Sequence, residues 1–207
     1  MAWSPDGKRL ATAGLDGGTV RVWDWARERL LHTLGGYNNG VHSVAWSPNG
    51  KRLASSSWDG SLKVWDPDVL DPDSVRPQLT LDLRGENPWM LSVAWSPDGK
   101  RVAAGNGDTL KVWDAANGTN IHTLRGHSGD VISISWSLDG KRLASASQDN
   151  TVKVWDAASG EQILTLRGLS SYPTVAWSPD GKRLASSCGD GTIKVWDAGK
   201  GYALERE

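Results

Sequence analysis

The feature that most constrains this chain is a unit written five times, whose fullest copy is Gly126 to Asp156, GHSGDVISISWSLDGKRLASASQDNTVKVWD. A VWD segment or its equivalent carries Trp23, Trp65, Trp113, Trp155 and Trp196. An AWSPDGKRL-type segment carries Trp3, Trp46, Trp95, Trp136 and Trp177, at successive steps of 43, 49, 41 and 41 residues. A unit this short cannot cover its own apolar residues, so neighbouring units must cover them. Within it, VISISWS, GKRLASAS, TVKVW and EQILTLR are runs rich in β-branched or apolar residues, parted by SLDG, QDN and DAASG. They predict four strands, a to d, joined by tight turns. In SPDG, proline presets the backbone for a turn and glycine takes the positive φ that ends it, so strands a and b form a hairpin. Strands carrying Val, Ile, Leu and Trp need a cover on both faces, and stacking sheet on sheet provides it.

A period near forty residues with a Gly-His start and a Trp-Asp end resembles the WD-repeat β-propeller family, and the resemblance covers the whole chain. It implies an all-β fold: one domain over 1–207 with five four-stranded blades, at about 1–35, 36–84, 85–125, 126–167 and 168–207. Family members most often have seven blades of about 51° each, whereas five would have to fill about 72° each. The ring is therefore expected to be strained or incomplete. Strand a of blade 1 is clipped to MAWS, and Leu204, Glu205, Arg206 and Glu207 stand where blade 4 has Ile163, Leu164, Thr165 and Leu166. Both changes weaken the seam, and self-association through the end blades is one expected consequence. Blade 2 carries an insertion, PDVLDPDSVRPQ, read as a surface loop, and LSSYPTV with Pro173 should shift the start of the inner strand of blade 5.

A formal net charge of −1 gives no general pull toward nucleic acid or anionic membrane. Without an opening apolar run or a stretch of spanning length, the chain reads as soluble and cytoplasmic. One cysteine, Cys188, cannot form an intrachain disulfide. Tryptophan occurs 13 times and phenylalanine not at all, so tryptophan supplies most of the bulky aromatic packing.

The family resemblance also implies a buried hydrogen-bond network. Only blade 4 matches it in full, through His127, Asp149, Trp155 and either Ser145 or Ser147, which strand parity places on one side. Tyr37, Glu86 and Leu169 replace the histidine in blades 2, 3 and 5, so incomplete networks are expected there. His127, Asp149 and a serine together could suggest a hydrolase triad, but the serine lies inside a strand without a nucleophile elbow, so the set is read as structural. His32, His42 and His122 lack zinc-ligand spacing. Asp66, Asp68, Asp71 and Asp73 in the insertion are interrupted by Pro67 and Pro72 and read as a solvated acidic loop. No metal and no cofactor are assigned.

Lys8-Arg9, Lys51-Arg52, Lys100-Arg101, Lys141-Arg142 and Lys182-Arg183 follow the a-to-b turns and form a basic rim, which aspartates of the SPDG and VWD segments should neutralise. Three tryptophans stand outside both repeated series: Trp25 on the c-to-d rim, Trp58 in a b-to-c turn and Trp89 in a d-to-a connection. Tyr37 and Tyr172 share the rim of Trp58 and Trp89. Aromatic residues dominate interface hot spots, which makes Tyr37, Trp58, Trp89 and Tyr172 candidate partner contacts. Trp89, beside Pro88 and Met90, reads equally well as a plug for an irregular blade.

The resemblance implies a non-catalytic scaffold or sensor propeller that binds a protein or peptide on the rim of b-to-c turns and d-to-a loops. The near-identical blades resemble arrays in bacterial multidomain signalling or sensor proteins. Two other readings stay open: nucleic-acid or phosphate binding on the basic rim, and a purely structural assembly unit.

Overall fold

The computed structural model describes residues 1–15, 17–68, 77–82, 92–170 and 172–199. Five antiparallel sheets follow one another along the chain, and no helix occurs among the described residues. Blade 1 holds β1 (Ala2–Trp3), β2 (Arg9–Ala13), β3 (Val20–Asp24) and β4 (Arg29–Leu34). Blade 2 holds β5 (Val41–Trp46), β6 (Leu53–Ser57), β7 (Ser61–Trp65) and β8 (Leu79–Asp82). Blade 3 holds β9 (Val93–Trp95), β10 (Arg101–Asn106), β11 (Thr109–Asp114) and β12 (Asn120–Leu124). Blade 4 holds β13 (Val131–Trp136), β14 (Arg142–Ser147), β15 (Val152–Asp156) and β16 (Gln162–Leu166). Blade 5 holds β17 (Val175–Trp177), β18 (Arg183–Ser187) and β19 (Ile193–Asp197), and the expected fourth strand lies outside the described residues.

The predicted a-to-b hairpins take one form throughout. In blade 4, Ser137 Oγ donates to Asp139 at 2.6 Å and accepts from the Arg142 N–H at 2.9 Å. Gly140 closes the turn at φ 68°, which only glycine adopts without strain. Blades 1, 2, 3 and 5 repeat the arrangement at Ser4, Ser47, Ser96 and Ser178. As the shortened connection implies, β17 begins late and has three residues where β13 has six.

Four apolar cores fill the four intervals between successive blades. The first joins Ala11, Val20 and Val22 of blade 1 to Val41, Trp46 and Leu53 of blade 2. The others repeat it between blades 2 and 3, 3 and 4, and 4 and 5. Where blade 3 meets blade 4 the backbones approach so closely that a Cβ on Gly105 would lie 2.8 Å from the Val131 carbonyl oxygen.

One arginine per blade bolts each interval shut. Arg101 of blade 3 lays its guanidinium 4.7 Å from the ring centre of Trp136 in blade 4. It also donates to the Ala157 carbonyl at 2.7 Å and to the Gly140 carbonyl at 2.9 Å. Arg142 treats blade 5 the same way, 4.5 Å from Trp177 and bonded to Ala198 and Gly181. Arg52 covers Trp95 and reaches Ala115 and Gly99. Arg9 covers Trp46 and reaches Gly50, and because the next segment is Pro67-Asp68 it takes the Asp68 carboxylate at 2.8 Å as its second partner. In return, the indole N–H groups of Trp46, Trp95 and Trp177 donate to carbonyls of the preceding blade at Ala2, Ala45 and Ser135. Beyond the expected neutralisation of the basic rim by nearby aspartates, Arg52, Arg101 and Arg142 direct their guanidinium groups to backbone carbonyls and an indole face.

The end faces are open. Val20, Leu62, Leu110 and Val152 occupy one position in strand c and are fully buried, yet Ile193, their counterpart in blade 5, is 72% exposed. On blade 1, Trp3 is 48% exposed, against 7–8% for Trp46, Trp95 and Trp136.

Candidate functional site

The blade 4 network is assembled by three neighbouring segments: the d-to-a connection brings His127, β14 brings Ser145 and the b-to-c turn brings Asp149. The Trp155 indole donates to Ser145 Oγ at 2.9 Å, and Ser145 Oγ lies 2.8 Å from His127 Nε2. His127 Nδ1 lies 2.7 Å from Asp149 Oδ2. A carboxylate only accepts, so Nδ1 carries the proton, Nε2 accepts from the Ser145 hydroxyl, and the chain of donors runs from Trp155 to Asp149. Ser147, the alternative serine, instead donates to the Gly129 carbonyl at 2.7 Å.

Burial disfavours the imidazolium more than the Asp149 carboxylate favours it, so the His127 pKa lies below its ordinary 6.5 and the ring is neutral. Burial alone would raise Asp149, but bonds from Thr151, His127 and the Ser128 N–H outweigh it and hold the carboxyl below its ordinary 3.8. Unfolding releases both groups to bind more protons. Stability supplied by His127 is therefore present above pH 6.5 and is lost as pH falls below that value, with the Asp149 share lost below pH 3.8. The melting temperature should fall between about pH 7 and about pH 5 in the wild type and less steeply in His127→Ala, and a melting temperature flat over that interval would contradict the assignment. Ser145 is fully buried and His127 is 5% exposed, so this trio offers no hydroxyl to a dissolved substrate.

Blade 2 keeps part of the network, with the tyrosine linked to the serine and tryptophan while Asp59 bonds Asn38 and Ser61 instead. The Tyr37 hydroxyl pairs with Ser55 Oγ, which also accepts from the Trp65 indole at 2.7 Å. The Tyr37 and Trp65 rings lie 6.2 Å apart, and Lys63 Nζ sits 4.2 Å above the Tyr37 ring. Burial raises the phenol above its ordinary pKa. Tyrosine thus takes the histidine's place. Blade 5 keeps the Trp196 to Ser186 bond at 2.8 Å with the buried, apolar Leu169 at the histidine position. Glu86 of blade 3 lies outside the described residues.

On the rim of b-to-c turns, blades 2, 4 and 5 share one set of turn bonds and differ in one side chain. Asp59, Asp149 and Asp190 each accept from the residue two positions on, through both its N–H and its hydroxyl. The residue just before this aspartate varies: Trp58, Gln148 and Gly189. Trp58 is half-buried and stacks on His42 with ring centres 5.8 Å apart. The Asn38 N–H donates to Asp59 at 2.8 Å, which ties the segment carrying Tyr37 to the turn carrying Trp58. Tyr172 is 69% exposed on the same rim of blade 5. Trp89, like Asp71 and Asp73 of the insertion, lies outside the described residues. On the opposite rim Trp25 packs edge-on against Trp3, with ring centres 5.1 Å apart.

Repeated indoles on strand c, hydroxyls on strand b and turn aspartates identify the blades. The family described as WD domain, G-beta repeat matches residues 1–24, 28–66, 77–114, 118–156 and 160–197. The chain belongs to the WD40 repeat family. From the second on, its matched units begin with strand d of one blade and end with strand c of the next. Over 44 residues, 21% of this chain, it is 52% identical to the WD repeat-containing protein VIP3 of Arabidopsis thaliana, a match that spans 13% of that protein. WD40 repeats build scaffolds for protein interaction, and this chain has that architecture. The interblade arginines Arg9, Arg52, Arg101 and Arg142 went unassigned in the sequence. Their signal was there: in every copy arginine, not merely a cation, holds the same place relative to two tryptophans.

Proposed function

We propose that this WD40 chain is a non-catalytic scaffold that grips a protein or peptide on the rim of b-to-c turns and d-to-a loops, with Trp58 as the anchor. The supporting observation is that blades 2, 4 and 5 hold the same turn bonds while the residue before the turn aspartate differs in each, and at blade 2 it is a large aromatic backed by His42. A rigid mount with one variable position suits recognition, and tryptophan is the most enriched residue at hot spots. Tyr172 lies on the same rim, and Trp89 keeps its sequence assignment there. Tyr37 is assigned to the internal network, since its hydroxyl is engaged by Ser55. Self-association belongs to the same scaffold reading, because both end faces are open.

Peptides selected from a displayed library against the wild-type chain supply the test. Trp58→Ala should weaken their binding by about 1 kcal/mol or more, roughly fivefold, without altering the sheet spectrum. Lys141→Ala should leave binding unchanged. The reverse pattern, with steep salt dependence, would move the site to the basic rim.

A further inference from the structure

Glycine follows asparagine four times in the sequence, at Asn39-Gly40, Asn49-Gly50, Asn106-Gly107 and Asn117-Gly118. In such a pair the glycine nitrogen can attack the asparagine side-chain carbonyl carbon, since no Cβ stands in its way, and the local geometry decides whether it does. At three pairs the geometry opposes attack. The Gly50 N–H donates to the Ser47 carbonyl at 2.8 Å, while Asn49 Oδ1 accepts from the Ser47 hydroxyl and the Lys51 N–H. The Gly118 N–H donates to the Asp114 carbonyl at 2.9 Å, while Asn117 Oδ1 accepts from the Thr119 N–H. Asn106 is buried from water at the end of β10. Asn39, in the d-to-a connection of blade 2, is exposed, and the Gly40 N–H points back at its side chain, donating to Oδ1 at 2.8 Å. The attacking nitrogen thus rests beside the carbon it must reach, and the soft terminal torsion of asparagine lets that carbon turn to meet it. The buried Ser57 hydroxyl lies 3.2 Å from the Asn39 carbonyl oxygen and 3.0 Å from that of Gly40. The Asn39 carbonyl and the Gly40 nitrogen form one peptide group, so a hydroxyl donating to that oxygen stabilises the negative charge left when the nitrogen loses its proton.

We propose that Asn39 is a modification site at which the folded chain deamidates itself, with water as the co-reactant. Hydroxide removes the Gly40 amide proton, the nitrogen bonds to Asn39 Cγ, and the side-chain nitrogen leaves as ammonia after taking a proton from water, which regenerates the hydroxide. The succinimide so formed adds one water at either of its two carbonyls and opens to aspartate or isoaspartate. Packing retains the glycine that permits the attack: a Cβ on Gly40 would lie 2.6 Å from the Leu15 carbonyl oxygen. Either product places a new carboxylate in the segment that the Asn38 N–H ties to Asp59 at 2.8 Å. Isoaspartate also lengthens the main chain by a methylene group just ahead of the Gly40 carbonyl, which accepts from the Trp58 N–H at 3.0 Å. The modification therefore acts on the turn that carries Trp58.

Peptide mapping by mass spectrometry tests this on the full chain, held at mildly alkaline pH for several weeks beside a parallel sample unfolded in guanidinium chloride. In the folded chain, acid products should accumulate at Asn39 at least about tenfold faster than at Asn49, Asn106 and Asn117. In guanidinium chloride the four rates should fall within about threefold of one another, because each asparagine then has only its glycine neighbour to direct it. Ser57→Ala, provided it keeps the wild-type sheet spectrum, should slow the reaction at Asn39 at least about threefold in the folded chain and leave it unchanged in the unfolded one. A folded-chain rate at Asn39 no greater than at Asn49 and Asn117 would overturn the proposal. An undiminished rate in folded Ser57→Ala would overturn the part assigned to Ser57.

Discussion

Arg101→Ala is expected to destabilise the chain by about 3 kcal/mol, lowering the melting temperature by about 6 to 12 °C. The side chain makes two charge-assisted bonds, to Ala157 and Gly140, and a cation-π contact with Trp136. A charged hydrogen bond contributes about 1.5 to 3 kcal/mol and a cation-π contact about 0.5 to 2, but the site is only part-buried, so water recovers some of the loss. Arg101→Lys should restore less than half, because a single ammonium cannot serve two carbonyls and cover an indole at once. The chain contains its own control. Arg183 has the same neighbours in sequence but an open face beyond it, and in dilute solution Arg183→Ala should cost about 0.5 kcal/mol or less. Thermal unfolding of the three variants decides the matter. Equal losses for Arg101→Ala and Arg183→Ala would mean that the arginines act within their own blades and not across the intervals.

His127→Ala is expected to cost about 2 to 3 kcal/mol, because it strands Ser145 and leaves a nearly buried Asp149 carboxylate short of a donor. Blade 2 shows which replacement the site accepts. Tyr37 stands at the same position and bonds Ser55, the counterpart of Ser145, while Lys63, the counterpart of Lys153, covers its ring. His127→Tyr should therefore recover at least half of the loss. Folded His127→Ala protein should bind selected peptides as the wild type does, since the network lies beneath the rim. Unchanged stability with lost binding would show instead that His127 belongs to the contact surface.

The strands, their order and their turns were legible in the sequence because each depends on residues a few positions apart. Alternating apolar residues define a strand face, and Pro and Gly in SPDG define the hairpin whose serine and aspartate then bond locally. The tryptophan series and its period of about forty residues fixed five blades for the same reason. Tertiary structure decided what depends on partners far along the chain. Arg101 meets carbonyls 39 and 56 residues ahead, and no local pattern separates such an arginine from a solvated rim charge until the blades are placed side by side. Parity put Ser145 and Ser147 on one side, and only the positions of His127 and Gly129 chose between them. Tyr37 read as a rim aromatic because sequence gives its place but not its direction, and the fold turned its hydroxyl inward to Ser55. The open ends follow the same rule: Ile193 and Val152 hold equivalent places in strand c, and exposure differs because one has a following blade against it and the other does not.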